Sequence, residues 1–84
     1  MDYLPLSKEY RVVEIGVPPA FVGQTLAQLH LRKRYRVMVI AIKRGERVDP
    51  EFMPAAETTM QVGNTLVLMG REDDIAAFRK AGED

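Results

Sequence analysis

Cysteine is absent from all 84 residues, which removes disulfides, thiolate nucleophiles and cysteine-based zinc sites together. Ser7 is the sole serine and His30 the sole histidine. Catalysis by His30 would need a nucleophile or a paired acid beside it, and no such triad is evident. No apolar run approaches the roughly 20 residues that span a bilayer. The opening Met1-Asp2-Tyr3-Leu4-Pro5 lacks the basic flank and apolar core of a signal peptide. The expectation is a cytosolic chain that is not itself inserted in a membrane. Repeats, low-complexity tracts and linkers are missing as well, so the chain reads as one domain, 10–84, behind a lead-in segment, 1–9.

What is present is a soluble globular composition, 46% hydrophobic and 29% charged. A chain this short buries only roughly 60–65% of its unfolded surface, so a monomer is modestly stable and dimerisation would help. The densest signal is a basic collar, Arg32, Lys33, Arg34 and Arg36, running into six consecutive apolar residues, Val37–Ile42. A strand apolar at every position asks to bury both faces, and the second face is expected to meet another subunit. The formal net charge of +0 hides a segregation: seven of the twelve basic residues lie between Arg32 and Arg47, where Glu46 is the only acid. Such a zone can hold phosphates or face an acidic partner; equally, it can be a solvated face paired with acids elsewhere in the fold.

Period-two alternation puts Val13, Ile15 and Val17 on one side of a first strand over 11–17, which Pro18-Pro19 ends. Val22, Leu26 and Leu29 recur at helical spacing and predict a short amphipathic helix over 22–29. Leu31–Tyr35 reads as the turn out of it, and 37–43 as a second strand, expected to be central. Arg47-Val48-Asp49-Pro50 can open a short edge strand, since proline is tolerated at edges. The turn Val62-Gly63-Asn64 leads to a last strand, Thr65–Met69, ended by Gly70. Glu72, Asp73 and Asp74 then open a helix whose inward face carries Ile75 and Phe78; helix capping explains these acids better than a cation site does.

The ordered set Val13-Glu14-Ile15, Val22-Gly23-Gln24-Thr25-Leu26, Leu29, Leu31-Arg32, Tyr35, Val39-Ile40-Ala41-Ile42, Arg44, Pro54, Gly63-Asn64-Thr65-Leu66-Val67 and Gly70 resembles the C-terminal domain of RCK proteins, the TrkA-C family. The resemblance covers about residues 10 to 80. It implies a small α/β (α+β) domain, β-α-β-β-β-α, with a short mixed sheet and two helices. It also implies a homodimer that regulates potassium channels or transporters. In that family the domain usually follows a Rossmann-type nucleotide-binding domain; no Gly-x-Gly-x-x-Gly run follows a strand here, so the chain is either a fragment or a stand-alone subunit. Asn64 stands where the family commonly has Asp, and it serves the turn equally well.

Some family members bind cyclic di-AMP between two C-terminal domains. The resemblance carries the adenine contacts to Val39 and Ile40, the phosphate contact to Arg44, and the following loop contacts to Asp49 and Pro50. A histidine used further on in such sites has no counterpart. Arg47 joins Arg44 on charge alone: two symmetric copies of each could grip two phosphates. Plainer roles stand beside these, as hairpin charges for the arginines and as core or dimer packing for Met38, Val39 and Ile40. His30 is read as ending its helix and serving its carbonyls. Nucleic acid is not an expected partner, because Tyr35 is the only aromatic within the basic collar and the domain is not basic overall. The expected function is a non-enzymatic sensor of a small anionic effector at a dimer interface, passing its state to a membrane potassium transport protein. The alternative is a purely structural dimerisation module.

Overall fold

The computed structural model describes residues 2–83, and its centre is the strand that the chain reaches last. In chain order the elements are β1 (Asp2–Pro5), β2 (Tyr10–Gly16), a 3₁₀ turn (Pro19–Phe21), α1 (Leu26–Leu29), α2 (Leu31–Tyr35), β3 (Met38–Lys43), β4 (Glu51–Phe52), β5 (Thr65–Arg71) and α3 (Glu72–Ala81). They build an α+β domain with one five-stranded sheet in the order β1-β2-β5-β3-β4.

Two expectations about the sheet are corrected. Every pairing is antiparallel, so the sheet is not mixed. β2 and β3 do run parallel and are joined by a helical crossover, but β5 slots between them and pairs antiparallel with both. For the same reason the central strand is β5, not β3. Residues directly opposite across the ladder share a face, which divides the sheet cleanly. Val13, Leu68 and Val39 share one face with Ile15, Leu66 and Ile42. These residues join Leu29, Leu31, Ile75 and Phe78 of the helices in the hydrophobic core. The other face carries Val12, Met69 and Met38, then Glu14, Val67, Ala41 and Phe52, and the core cluster includes none of them.

The helical layer also departs from expectation, for local reasons. The helix expected over 22–29 begins only at Leu26, because Thr25 and Gln28 form a reciprocal capping box. The Gln28 amide donates to Thr25 Oγ1 at 3.1 Å and the Thr25 amide to Gln28 Oε1 at 2.8 Å. Residues 31–35, expected as a turn, form α2; His30, in the left-handed region at φ 47°, redirects the chain between α1 and α2. Phe21, Tyr35 and Phe78 then lock the 3₁₀ turn, α2 and α3 together, with ring centroids 5.1–5.9 Å apart. Gly70 does not end the last strand but lies within it: a Cβ there would sit 2.9 Å from Val37 Cγ1, so glycine admits the chain between α2 and β3. The short edge strand falls at Glu51–Phe52, just beyond the stretch Arg47–Pro50 expected to open it. Within the expected lead-in, Asp2–Pro5 pairs with β2. None of the helices described is long and apolar enough to cross a membrane.

Candidate functional site

β3 carries an irregularity where the sequence placed the ligand contacts. Val39 opposes Leu68 and Ala41 opposes Val67, leaving Ile40 as the extra residue of a β-bulge. Val39 packs against the core and lines a groove, while the Ile40 carbonyl accepts the Met53 amide at 2.8 Å. The two apolar candidates are thus adjacent but differently used. Past β3, the register Ile42 to Glu51 folds the hairpin back on itself. That register brings Arg44 Nη2 to Glu51 Oε1 at 2.9 Å, a pair only partly screened from solvent. Arg47 and Asp49 are exposed and Pro50 is half-buried on the loop between. Arg44, Arg47, Asp49 and Pro50 therefore share one hairpin, whereas Val39 looks toward the helices. Glu46, Asp49 and Glu51 offset the two arginines, so the hairpin is not a net cationic surface.

An apolar concavity lies on the other side of β3. A groove of about 410 Å³ is floored by Leu26, Leu31, Val37 and Val39, walled by Pro54 and Ala56, and edged by His30, Arg32 and Lys33. The 54–60 segment is fixed there because it completes α1: the Leu26 amide donates to the Thr58 carbonyl at 3.0 Å and the Ala27 amide to the Ala56 carbonyl at 2.9 Å. Among the described residues Lys43 pairs with Glu14 at 3.0 Å, and Arg71 meets Glu9 at 3.7 Å. No described acid lies within ion-pair distance of Arg32, Lys33, Arg34 or Arg36. The basic collar is thus a solvated face rather than one paired across the fold. Sequence reasoning missed this groove because it read 31–35 as a turn; the signal available was Leu31 and Tyr35 at i and i+4 within the collar. No cluster of three or more His, Asp or Glu side chains that could hold a metal forms among the described residues.

An antiparallel sheet with its last strand in the middle, covered by helices on one face only, defines a small α+β domain with an apolar groove and a charged hairpin at either side of β3. The TrkA-C domain model matches residues 10–81, and the chain belongs to that family. It is 36% identical over 80 residues to the Ktr system potassium uptake protein C of Bacillus subtilis (strain 168), covering 95% of this chain and 35% of that protein. The chain thus spans about a third of that relative's length. Among solved structures, the RCK C domain of the potassium transport protein KtrA in complex with cyclic diadenosine monophosphate superposes with a TM-score of 0.79 at 29% identity. That match covers 90% of this chain and 87% of that one. The GsuK RCK domain matches with a TM-score of 0.74 at 30% identity, over 92% of this chain and 17% of that one.

Proposed function

We propose that this domain is a cytoplasmic regulatory module of a potassium transport system, acting as a homodimer and binding cyclic di-AMP where two copies meet. It works beside a Rossmann-type domain or directly on a membrane channel or transporter subunit. The observation that carries the reading is the hairpin following the β3 bulge, which presents an exposed Arg44 four residues beyond Ile40, in a chain 29% identical to a domain solved with that dinucleotide. A two-fold axis would set two copies of Arg44 around the two phosphates of a symmetric ligand. Because an effector shifts an equilibrium only by its differential affinity for the two states, bridging two subunits is what would let it select one relative orientation.

Calorimetric titration with cyclic di-AMP, with cyclic di-GMP and ATP as controls and the mass fixed by light scattering, tests this. Saturation near one ligand per dimer is expected, lost in Arg44→Ala while the dimer persists. A second reading, a structural dimerisation module without a ligand, is favoured by the Arg44–Glu51 pair, which already occupies the arginine. Heat no greater than the controls from a stable dimer would establish that second reading.

A further inference from the structure

On the far side of Arg32 from the groove lies a smaller notch, about 150 Å³, lined by Tyr10, Arg32, Arg36, Val37, Met38, Met69 and Gly70. Its origin is the way α2 ends. The Arg36 amide donates to the Arg32 carbonyl at 3.2 Å, the single bond of an αL cap, and the Val37 amide donates to the Leu31 carbonyl at 3.4 Å. In that motif the left-handed position is ordinarily glycine, because a Cβ is disfavoured there. Here it is Arg36, at φ 58°. Arg36 also lines the same small notch as Arg32, which sets two like charges around one concavity. The backbone asks for a residue without a side chain, and electrostatics asks for one without a positive charge. Two local preferences are overridden at one residue, and neither arginine has a described acid within ion-pair distance.

We propose that this notch is a second binding site, separate from the hairpin, and that Arg32 and Arg36 take the phosphoryl group of an organic phosphomonoester. Each guanidinium offers a fork of donors, and one fork satisfies a carboxylate. Two forks match the three terminal oxygens and double charge of a phosphomonoester better than the two free oxygens of a phosphodiester. The volume equals about five waters at ~30 Å³ each, room for one phosphoryl group and the atoms joined to it. Tyr10 and Met38, each about two-fifths exposed, supply an apolar wall for those atoms. The same headgroup chemistry occurs in a soluble ester and in phosphatidate.

Amide spectra of the ¹⁵N-labelled 84-residue chain, titrated with phenyl phosphate, inorganic phosphate and diphenyl phosphate, test the site. Saturable shifts are expected at Arg36, Val37, Met38 and Gly70, strongest for phenyl phosphate and absent for the diester. Arg32→Gln and Arg36→Gly should each weaken binding about tenfold or more, since each deletes charge-assisted bonds. Arg44→Ala should leave it unchanged, which separates this site from the proposed effector site. Thermal melting supplies a readout of opposite sign: Arg36→Gly is expected to melt at the wild-type midpoint or a few degrees above it. Co-sedimentation with vesicles that contain phosphatidate, and not with phosphatidylcholine alone, would identify the lipid headgroup as the source. Vesicle indifference with phenyl phosphate binding intact would identify a soluble ester. The proposal is overturned by no saturable shift with any probe, by shifts that survive in both variants, by equal binding of the diester, or by a clearly lower melting point for Arg36→Gly.

Discussion

Arg44 reaches Glu51 across the hairpin with Nη2 and Oε1 2.9 Å apart, and both side chains are a third exposed or more. A pair that open to solvent is worth no more than about 1 kcal/mol, so a phosphate with full charge can displace the carboxylate. Glu51→Gln is therefore expected to raise affinity for cyclic di-AMP several-fold, with the gain shrinking as salt is added; calorimetry at two ionic strengths checks both parts. Unchanged affinity would mean that Arg44 does not contact the ligand. The end of β3 could be placed from the sequence, and Arg44 with it, because an apolar run meeting Lys43-Arg44 marks a strand leaving the core. Its partner could not, since Glu51 lies seven residues on and is brought back only by the pairing of Ile42 with Glu51. At the opposite extreme of burial, Phe78 has no exposed surface and its ring meets those of Phe21 and Tyr35. Truncating a fully buried aromatic costs about 3–5 kcal/mol, against the 5–15 kcal/mol that a domain has in total. Phe78→Ala is expected to lose most of the stability measured by urea unfolding, and a loss under about 1 kcal/mol would contradict the packing described.

Elements were legible where a single period governs them and obscure where a local bond or a distant strand decides. β2 and α3 were placed within a residue or so, because alternation at Val13 and Ile15 and the spacing of Ile75 and Phe78 follow directly from one buried face. The region between Val22 and Tyr35 was not, since the hydrophobic spacing of Val22, Leu26 and Leu29 suits one helix but the backbone makes two. Thr25 starts α1 through its capping box, leaving Val22 outside and 40% exposed, and His30 turns the chain into α2. The threonine and glutamine three apart are themselves a readable start signal, outweighed in the sequence by the apolar stripe. Thr25→Ala removes one half of that box and is expected to cost about 1 kcal/mol of unfolding free energy, measured by urea denaturation. No change would mean that the 56–59 segment, bonded to Leu26 and Ala27, starts the helix unaided. Strand order lay beyond the sequence for a different reason. Nothing local to β3 or β5 states which sits in the middle, and only the insertion of β5 between β2 and β3 makes the sheet antiparallel throughout.

At the scale of the whole molecule, the sheet has one face packed by helices and another bearing Val12, Met38, Ala41, Val67, Met69 and Phe52, interrupted by the Glu14–Lys43 pair. The sequence argument that an apolar strand needs cover on both faces applies here to β3 and β5 together. Phe52 is 67% exposed and Met53 85% exposed at the edge of this face, beside the hairpin that bears Arg44. Exposed aromatic area next to the proposed ligand site is what an interface formed by two copies would bury. A homodimer that folds and associates together melts at a temperature that rises with protein concentration, whereas a monomer's does not. The wild-type chain is expected to show that rise. Phe52→Lys, at a residue too exposed to matter to the monomer's own core, should abolish the rise and lower the light-scattering mass to that of one chain, with the amide spectrum of the core unchanged. A variant still dimeric at low concentration would place the two-fold axis away from this edge, and would remove the arrangement in which two copies of Arg44 close on one ligand.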